Sequence, residues 1–337
     1  MKAAVVQVGK RQTKATQSLV LVVIIVAICV VTAIVNPRFL RPQNIINIFQ
    51  QISILGIVAC GIGMLLVAGQ IDISVGTQVS LMGVILSMII QRMMGLPDGN
   101  VPAWQATLAI PVAIVVTFVV GLLLGLLNGI VVIKSRASSF IITLGFQVVY
   151  AGSALLVSRG ASYMLFGKFE LLGRGRILTS LPIPIPIPIL FFIGMVLITF
   201  VVLKYLRYGR FLYAIGGNRK AAFVSGINTS RITLTAFAIV GLCNALAALI
   251  LISRVGSALA TTGDSYALDA LAAVIVGGVS IAGGKGNALN IFLGVLLIGL
   301  ISNALIIMNV NPYVRQVVLG LIIIVAVTIG QLTSERE

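Results

Sequence analysis

Histidine is absent from the 337 residues. With it go the commonest general base and the commonest metal ligand, so neither a zinc site nor a Ser–His–Asp triad is expected. Charge is scarce too: 9% of residues are charged, and only seven are acidic. A soluble domain of this length needs far more polar surface to cover its core. The three cysteines, Cys29, Cys60 and Cys243, each sit inside an apolar run and have no CxxC spacing. They read as small packing residues. No polar stretch is long enough for an extramembrane domain, so residues 1–337 read as one transmembrane domain.

What the chain has in quantity is hydrophobic side chain, 59% of positions. The net charge of +16 would suit nucleic acid, but the basic residues lie in short segments between apolar runs. Such charges are the usual flanks of membrane helices. The expected surroundings are therefore lipid, with no nucleic acid. Lys2, Lys10, Arg11 and Lys14 precede an apolar run from Leu19 to Val35. A signal peptide has that order, but no small-x-small cleavage site follows. The run reads as a retained first span behind an N-terminal tail, residues 1–18.

In lipid a helix satisfies its own backbone, so apolar runs of about 20 residues read as spans. Ten are expected, at about 19–35, 52–69, 77–91, 107–133, 139–158, 189–203, 232–252, 267–283, 288–308 and 316–332. The fold class is thus an all-α polytopic membrane protein. With the N-terminus inside, fourteen basic residues fall on the inner side and nine on the outer. The reverse topology would put segment 204–231, with six basic and no acidic residues, outside. The positive-inside rule favours both termini in the cytoplasm. Segment 39–51 is too polar to span, and its Ile45, Ile46 and Phe49 suit an amphipathic helix on the outer surface. Prolines at 182, 184, 186 and 188 favour an extended lead-in to the next span.

Three segments carry the functional reading. Gly69–Gly76, GQIDISVG, puts Asp72 and Ser74 in a short polar break bounded by glycines, the mark of a discontinuous helix. Asp72 is either a cap for the helix starting near Ser74 or part of a gate. A carboxylate within a span costs about 2.5–3.5 kcal/mol on insertion scales, so a partner is expected. In the basic loop 204–231, Asn218 can cap a short helix carrying Ala221, Ala222 and Val224, and Gly226 can end it. Small residues there suit close approach of another protein. The third segment, Gly263–Asn287, begins with Asp264 and Asp269 and ends in a glycine cluster around Lys285. It fails as a phosphate loop: Val279 stands where the first glycine belongs, and Gly286 where the hydroxyl residue belongs. Energy, if used, must then come from a partner. Asn128, Gln147, Asn244 and Asn303 lie in apolar spans, where an amide should face protein or water. With Asp72, Ser74 and Asp269 they are candidates for the translocation path, or for bonds between helices.

GQIDISVG, GRFLYAIGGNRKAAFVSGIN and YALDALAAVIVGGVSIAGGKG, in this order and spacing, resemble the ribose-type permeases of bacterial ATP-binding-cassette importers from about Asn36 to Gln331. The resemblance implies a permease of the bacterial inner membrane, working as a homo- or heterodimer with cytoplasmic ATPases and an extracytoplasmic solute-binding protein. It implies import of a sugar or similar solute, no catalysis and no cofactor on this chain. It makes Gly217, Asn218, Ala221, Ala222 and Gly226 the ATPase-coupling residues. Gln70, where the family usually has Gly, and the outer loop around Ser158–Ala161 depart from the pattern. An ion-coupled secondary transporter is the rival reading. It would usually show buried acids or histidines near mid-bilayer, whereas Asp72 and Asp269 are expected near span ends.

Overall fold

The computed structural model describes residues 2–178 and 184–334. Among them the helices are α1 (Lys2–Val35), α2 (Pro42–Val67), α3 (Val75–Met94), α4 (Ala103–Ser135), α5 (Ser139–Ser158), α6 (Leu171–Arg174), α7 (Ile187–Lys204), α8 (Arg207–Gly217), α9 (Arg219–Val224), α10 (Thr229–Val255), α11 (Tyr266–Val276), α12 (Ala288–Ile307) and α13 (Pro312–Ser334). Seven of these, α2, α3, α4, α5, α7, α10 and α12, are long and apolar enough to cross a membrane. Leu19–Val35 of α1, Tyr266–Val276 and Tyr313–Ile322 are shorter apolar helices. Each expected span thus has a helix.

Two expectations need correction. The run 267–283 is not one span, because its helix stops at Val276 and Gly278 turns to φ +100°. Eleven residues reach only about 16 Å, roughly half of a hydrocarbon core. Segment 39–51 is not a separate surface helix. After a 3-10 turn at Pro37–Leu40, the chain enters α2 at Pro42 and continues without a breaker to Val67. Pro42 sits in the first turn, where its missing N–H costs nothing. Of the alternating-proline run, Pro182 and Ile183 lie outside the described residues, as does Arg336. The rest behaves as expected: Ile185–Pro186 is extended, pairs antiparallel with Arg176–Ile177, and leads into α7.

α2 is the centre of the bundle. Across its apolar 18-residue window 89% of residues are buried, against 17% in α5, most of whose surface this chain leaves uncovered. α10, α7, α12 and α11 pack around α2. α4 crosses α10 on small residues: a Cβ at Gly121 or Gly125 would strike the carbonyl of Gly241 or Phe237. Without a hydrophobic drive between helices in lipid, such close backbone approach supplies the packing energy. Tyr163–Met164 after α5 pairs antiparallel with Ser257–Ala258 after α10. The two strands are β1 (Tyr163–Met164) and β4 (Ser257–Ala258), the first and last of four two-residue strands.

Candidate functional site

The basic loop folds as two helices rather than one. α8 is amphipathic, with Gly209, Leu212 and Ile215 buried and Arg207 and Arg210 exposed. The sequence reading missed it, although Leu212 and Ile215 stand at helical spacing. α9 follows at once. Asn218 caps it, its side-chain oxygen accepting from the Ala221 N–H at 3.0 Å. Gly226 follows the helix at φ +83°, in the left-handed region. Arg219, Lys220 and Ala221 are exposed. Ala222 was expected at a partner contact, but it is 4% exposed and packs inside its own chain. The apolar face that α9 offers outward is instead Phe223 and Val224, at 68% and 86% exposure.

Three backbones meet where α8 ends. A Cβ on Gly216 would fall on the Val67 carbonyl and close to the Gly284 N–H. A Cβ on Gly283 would stand 2.8 Å from the Cα of Gly69 and 2.9 Å from that of Gly216. The Gly284 N–H donates to the Val67 carbonyl at 2.9 Å. Gly284 itself is at φ +71° and Gly283 at +89°, conformations glycine adopts at no steric cost. The Tyr213 hydroxyl donates to the Gly286 carbonyl at 2.7 Å. Burial pushes that hydroxyl above its ordinary pKa, which keeps it a donor. The loop bearing α9, the end of α2 and the glycine segment after α11 are therefore one junction. Beside it, Gln70, Arg136, Ser138, Ser139 and Arg219 line an open cleft.

Beyond the junction the chain turns through Gly69–Ser74 into α3. The break is held to α5 by the Ile71 N–H donating to Ser139 Oγ at 3.0 Å and the Ile73 N–H donating to Thr143 Oγ1 at 3.1 Å. Asp72 is 2% exposed. Its Oδ1 accepts from the Ser74 N–H at 2.9 Å and from Ser74 Oγ at 2.6 Å. Its Oδ2 accepts from Asn128 Nδ2 at 3.0 Å and Gln78 Nε2 at 3.3 Å. The Tyr150 hydroxyl donates to Asn128 Oδ1 at 2.6 Å, and Asn244 Nδ2 to Gln78 Oε1 at 3.0 Å. One buried network thus joins the break to α3, α4, α5 and α10. The Ser74 side chain makes no cap bond to α3; Asp72 instead binds the backbone two residues on, as an Asx turn does. The expected partners of Asp72 are amides and a hydroxyl.

The remaining path candidates separate. Asp72, Ser74, Asn128 and Asn244 are the network just described. Asn303 is 5% exposed and exchanges two hydrogen bonds with Asn44, at 3.0 and 3.1 Å, tying α12 to the first turn of α2. Gln147 is half-buried on α5. Asp269 is half-buried on the first turn of α11, within electrostatic reach of Arg315. The sequence reading missed Gln78 and Tyr150. Gln78 was findable, being four residues after Ser74 on one helix face. Tyr150 carries no local signal, because a tyrosine in an apolar run reads as packing.

Comparison with known proteins gives these residues a context. A family described as "Branched-chain amino acid transport system / permease component" matches residues 44–327. The ribose import permease protein of Bacillus subtilis (strain 168) is 38% identical over 308 residues, covering 90% of each chain. That of Escherichia coli (strain K12) is 32% identical over 317 residues, covering 92% of each. The galactose/methyl galactoside import permease protein of Escherichia coli (strain K12) is 30% identical over 330 residues, covering 93% of this chain and 95% of the relative. No solved structure matches the chain.

Proposed function

Because the chain belongs to the family of branched-chain amino acid transport system permease components, we propose that it is the membrane-spanning subunit of an ATP-driven sugar importer of the bacterial inner membrane. Relatives named for ribose and for galactose import, matched along almost their whole length, support sugar as the solute class. In this reading the chain hydrolyses nothing and holds no cofactor. A cytoplasmic ATPase drives it, an extracytoplasmic binding protein feeds it, and a second permease, identical or related, completes the path. Both termini lie in the cytoplasm.

One observation carries the mechanism: the direct backbone contact of Gly216 with Val67 and Gly284. α9 is short, capped at Asn218 and exposes Phe223 and Val224. Those side chains suit a groove on the ATPase, and Arg219 and Lys220 would steer the encounter. A push on α9 passes through α8 to the junction without a flexible side chain between them, and so reaches the break that holds Asp72. Packed elements of this kind move between discrete arrangements rather than yielding gradually.

The test is reconstitution in liposomes with a cognate ATPase and binding protein. Labelled ribose and galactose should accumulate only with internal ATP and with both partners present. Accumulation driven by a proton or sodium gradient, without the ATPase, would replace this reading with the secondary transporter.

A further inference from the structure

The segment between β4 and α11 runs where irregular backbone is rarely found. At its outer end β4 pairs with β1. Five residues later Gly263 and Asp264 are packed on the first turns of α3. A Cβ on Gly76 would stand 2.8 Å from both the Gly263 and Asp264 carbonyls. Ser80 Oγ accepts from the Gly263 N–H at 2.8 Å and donates to Asp264 Oδ1 at 3.0 Å. Further along α3, the Gln91 side chain reaches the Met164 carbonyl of β1 at 3.4 Å. From Gln91 back to Ser80 is about 16 Å along the helix axis. The Asp264 carboxylate therefore lies about half a hydrocarbon thickness below the outer strand pair.

At that depth the exposed side chains divide by chemistry. On α4 they include Val119 and Leu123, flanking the Gly121 that meets Met82, and on α5 Val148 and Val149, beside the Tyr150 that packs with Leu81 and Ala260, as a lipid contact requires. On the re-entrant segment Thr261, Asp264 and Ser265 are exposed. Non-helical backbone at membrane depth is tolerated where it is buried in protein or lines a water-filled cavity, and a carboxylate facing hydrocarbon is costly. Asp264 is not buried in its own chain.

Resting on the importer reading above, we infer that Asp264 lines the translocation path and accepts hydrogen bonds from the hydroxyls of the passing sugar, with Thr261 and Ser265 as neighbouring polar positions. The bond from Ser80 engages Oδ1 and orients the carboxylate. Oδ2 remains an acceptor for a polyhydroxylated solute. A carboxylate suits this role because hydrogen bonds to an ionised acceptor are stronger than neutral ones, while one such contact is weak enough to let the solute leave.

Two measurements test this, and the first needs no knowledge of the solute. Asp264→Cys in the intact complex is treated with a charged, water-soluble methanethiosulfonate reagent, with the parent protein as blank. Modification at a rate within about tenfold of an exposed cysteine at Ser162, the outer-loop control, is expected. Inertness in both nucleotide-free and ATP-bound complexes would overturn the inference, since the position would then face lipid or lie sealed against another chain. The second compares Asp264→Asn, Asp264→Glu and Ser80→Ala for ribose import and binding-protein-stimulated ATP hydrolysis. Asn should raise the ATP consumed per ribose delivered by about tenfold, the equivalent of one lost charge-assisted hydrogen bond, with hydrolysis preserved. Glu should recover most of the coupling. Ser80→Ala should have the smaller effect, because the carboxylate remains. If Ser80→Ala matched Asp264→Asn, the carboxylate would be only a tie for the segment. If wild-type complex imported neither ribose nor galactose with ATP, the importer reading would fail on those sugars, and the thiol measurement would still decide the water access of Asp264.

Discussion

Gly216 packs against Val67 so closely that a single methyl group at its Cα would overlap the Val67 carbonyl oxygen. The obstacle is backbone on one side and the Gly284 N–H on the other, so no side chain can swing away. Gly217, the next residue, has open space around it. Gly216→Ala should therefore reduce solute-stimulated ATP hydrolysis severalfold while the ATPase still co-purifies, and Gly217→Ala, which meets no backbone of this chain, should reduce it less. Equal activity of the two variants would show that the junction does not transmit the signal.

The outward face of α9 makes a second test. Phe223→Ser and Val224→Asp remove apolar surface that is exposed in this chain, so folding should be unaffected. Co-purification of the ATPase should fall, by about tenfold for the aspartate, as expected for polar insertion at the centre of an interface. Asn218→Ala should cost the helix about 1 kcal/mol through the lost cap and weaken association less. Unchanged co-purification in all three variants would move the docking site elsewhere.

Asp72→Asn tests the buried network. Both carboxylate oxygens accept from donors: the Ser74 N–H and hydroxyl at one, the amides of Asn128 and Gln78 at the other. Replacing either oxygen by NH2 sets donor against donor. An unmade hydrogen bond at a buried site costs about 1–3 kcal/mol, more for charged groups. The detergent-solubilised protein should lose several degrees of Tm, and Tyr150→Phe, which removes one bond to Asn128, should lose less. A wild-type Tm for Asp72→Asn would mean that the network does not hold the break.

Orientation can be read directly. A cysteine at Asn218 should react with impermeant reagents only from the cytoplasmic side, and one at Ser162 only from outside. Both positions are exposed in the structure. Reversed accessibility at either would overturn the topology derived from the basic residues.

Hydrophobic run length found every apolar helix, because the bilayer demands continuous apolar sequence wherever a helix crosses it. It failed where a run was apolar for another reason. Residues 267–283 are apolar because α11 is packed among other helices, not because they cross from side to side, and the glycines that end the helix were visible but read as the end of a span. Asn218 and Gly226 were legible because caps are local chemistry. The facing of Ala222 was not, since a six-residue helix has too little periodicity to set its inward side. The Asp72 network joins residues from positions 72 to 244, and nothing in a linear reading indicates that Asn128 and Asn244 converge on it. Asp264 was seen, but its depth depends on Ser80, 184 residues away.

The β1–β4 strand pair has a mechanical consequence. β1 belongs to the loop after α5, and β4 leads within a few residues to Asp264. Tyr163 lies opposite Ala258 and Met164 opposite Ser257, so the loop is stitched to the strand that descends into the bundle. A load placed on the rim at Tyr163–Met164 pulls on that descending strand rather than dissipating in a free loop. The loop after α5 and the segment bearing Asp264 are thus fastened at two points, the β1–β4 pair and the seat of Gly263 on Gly76.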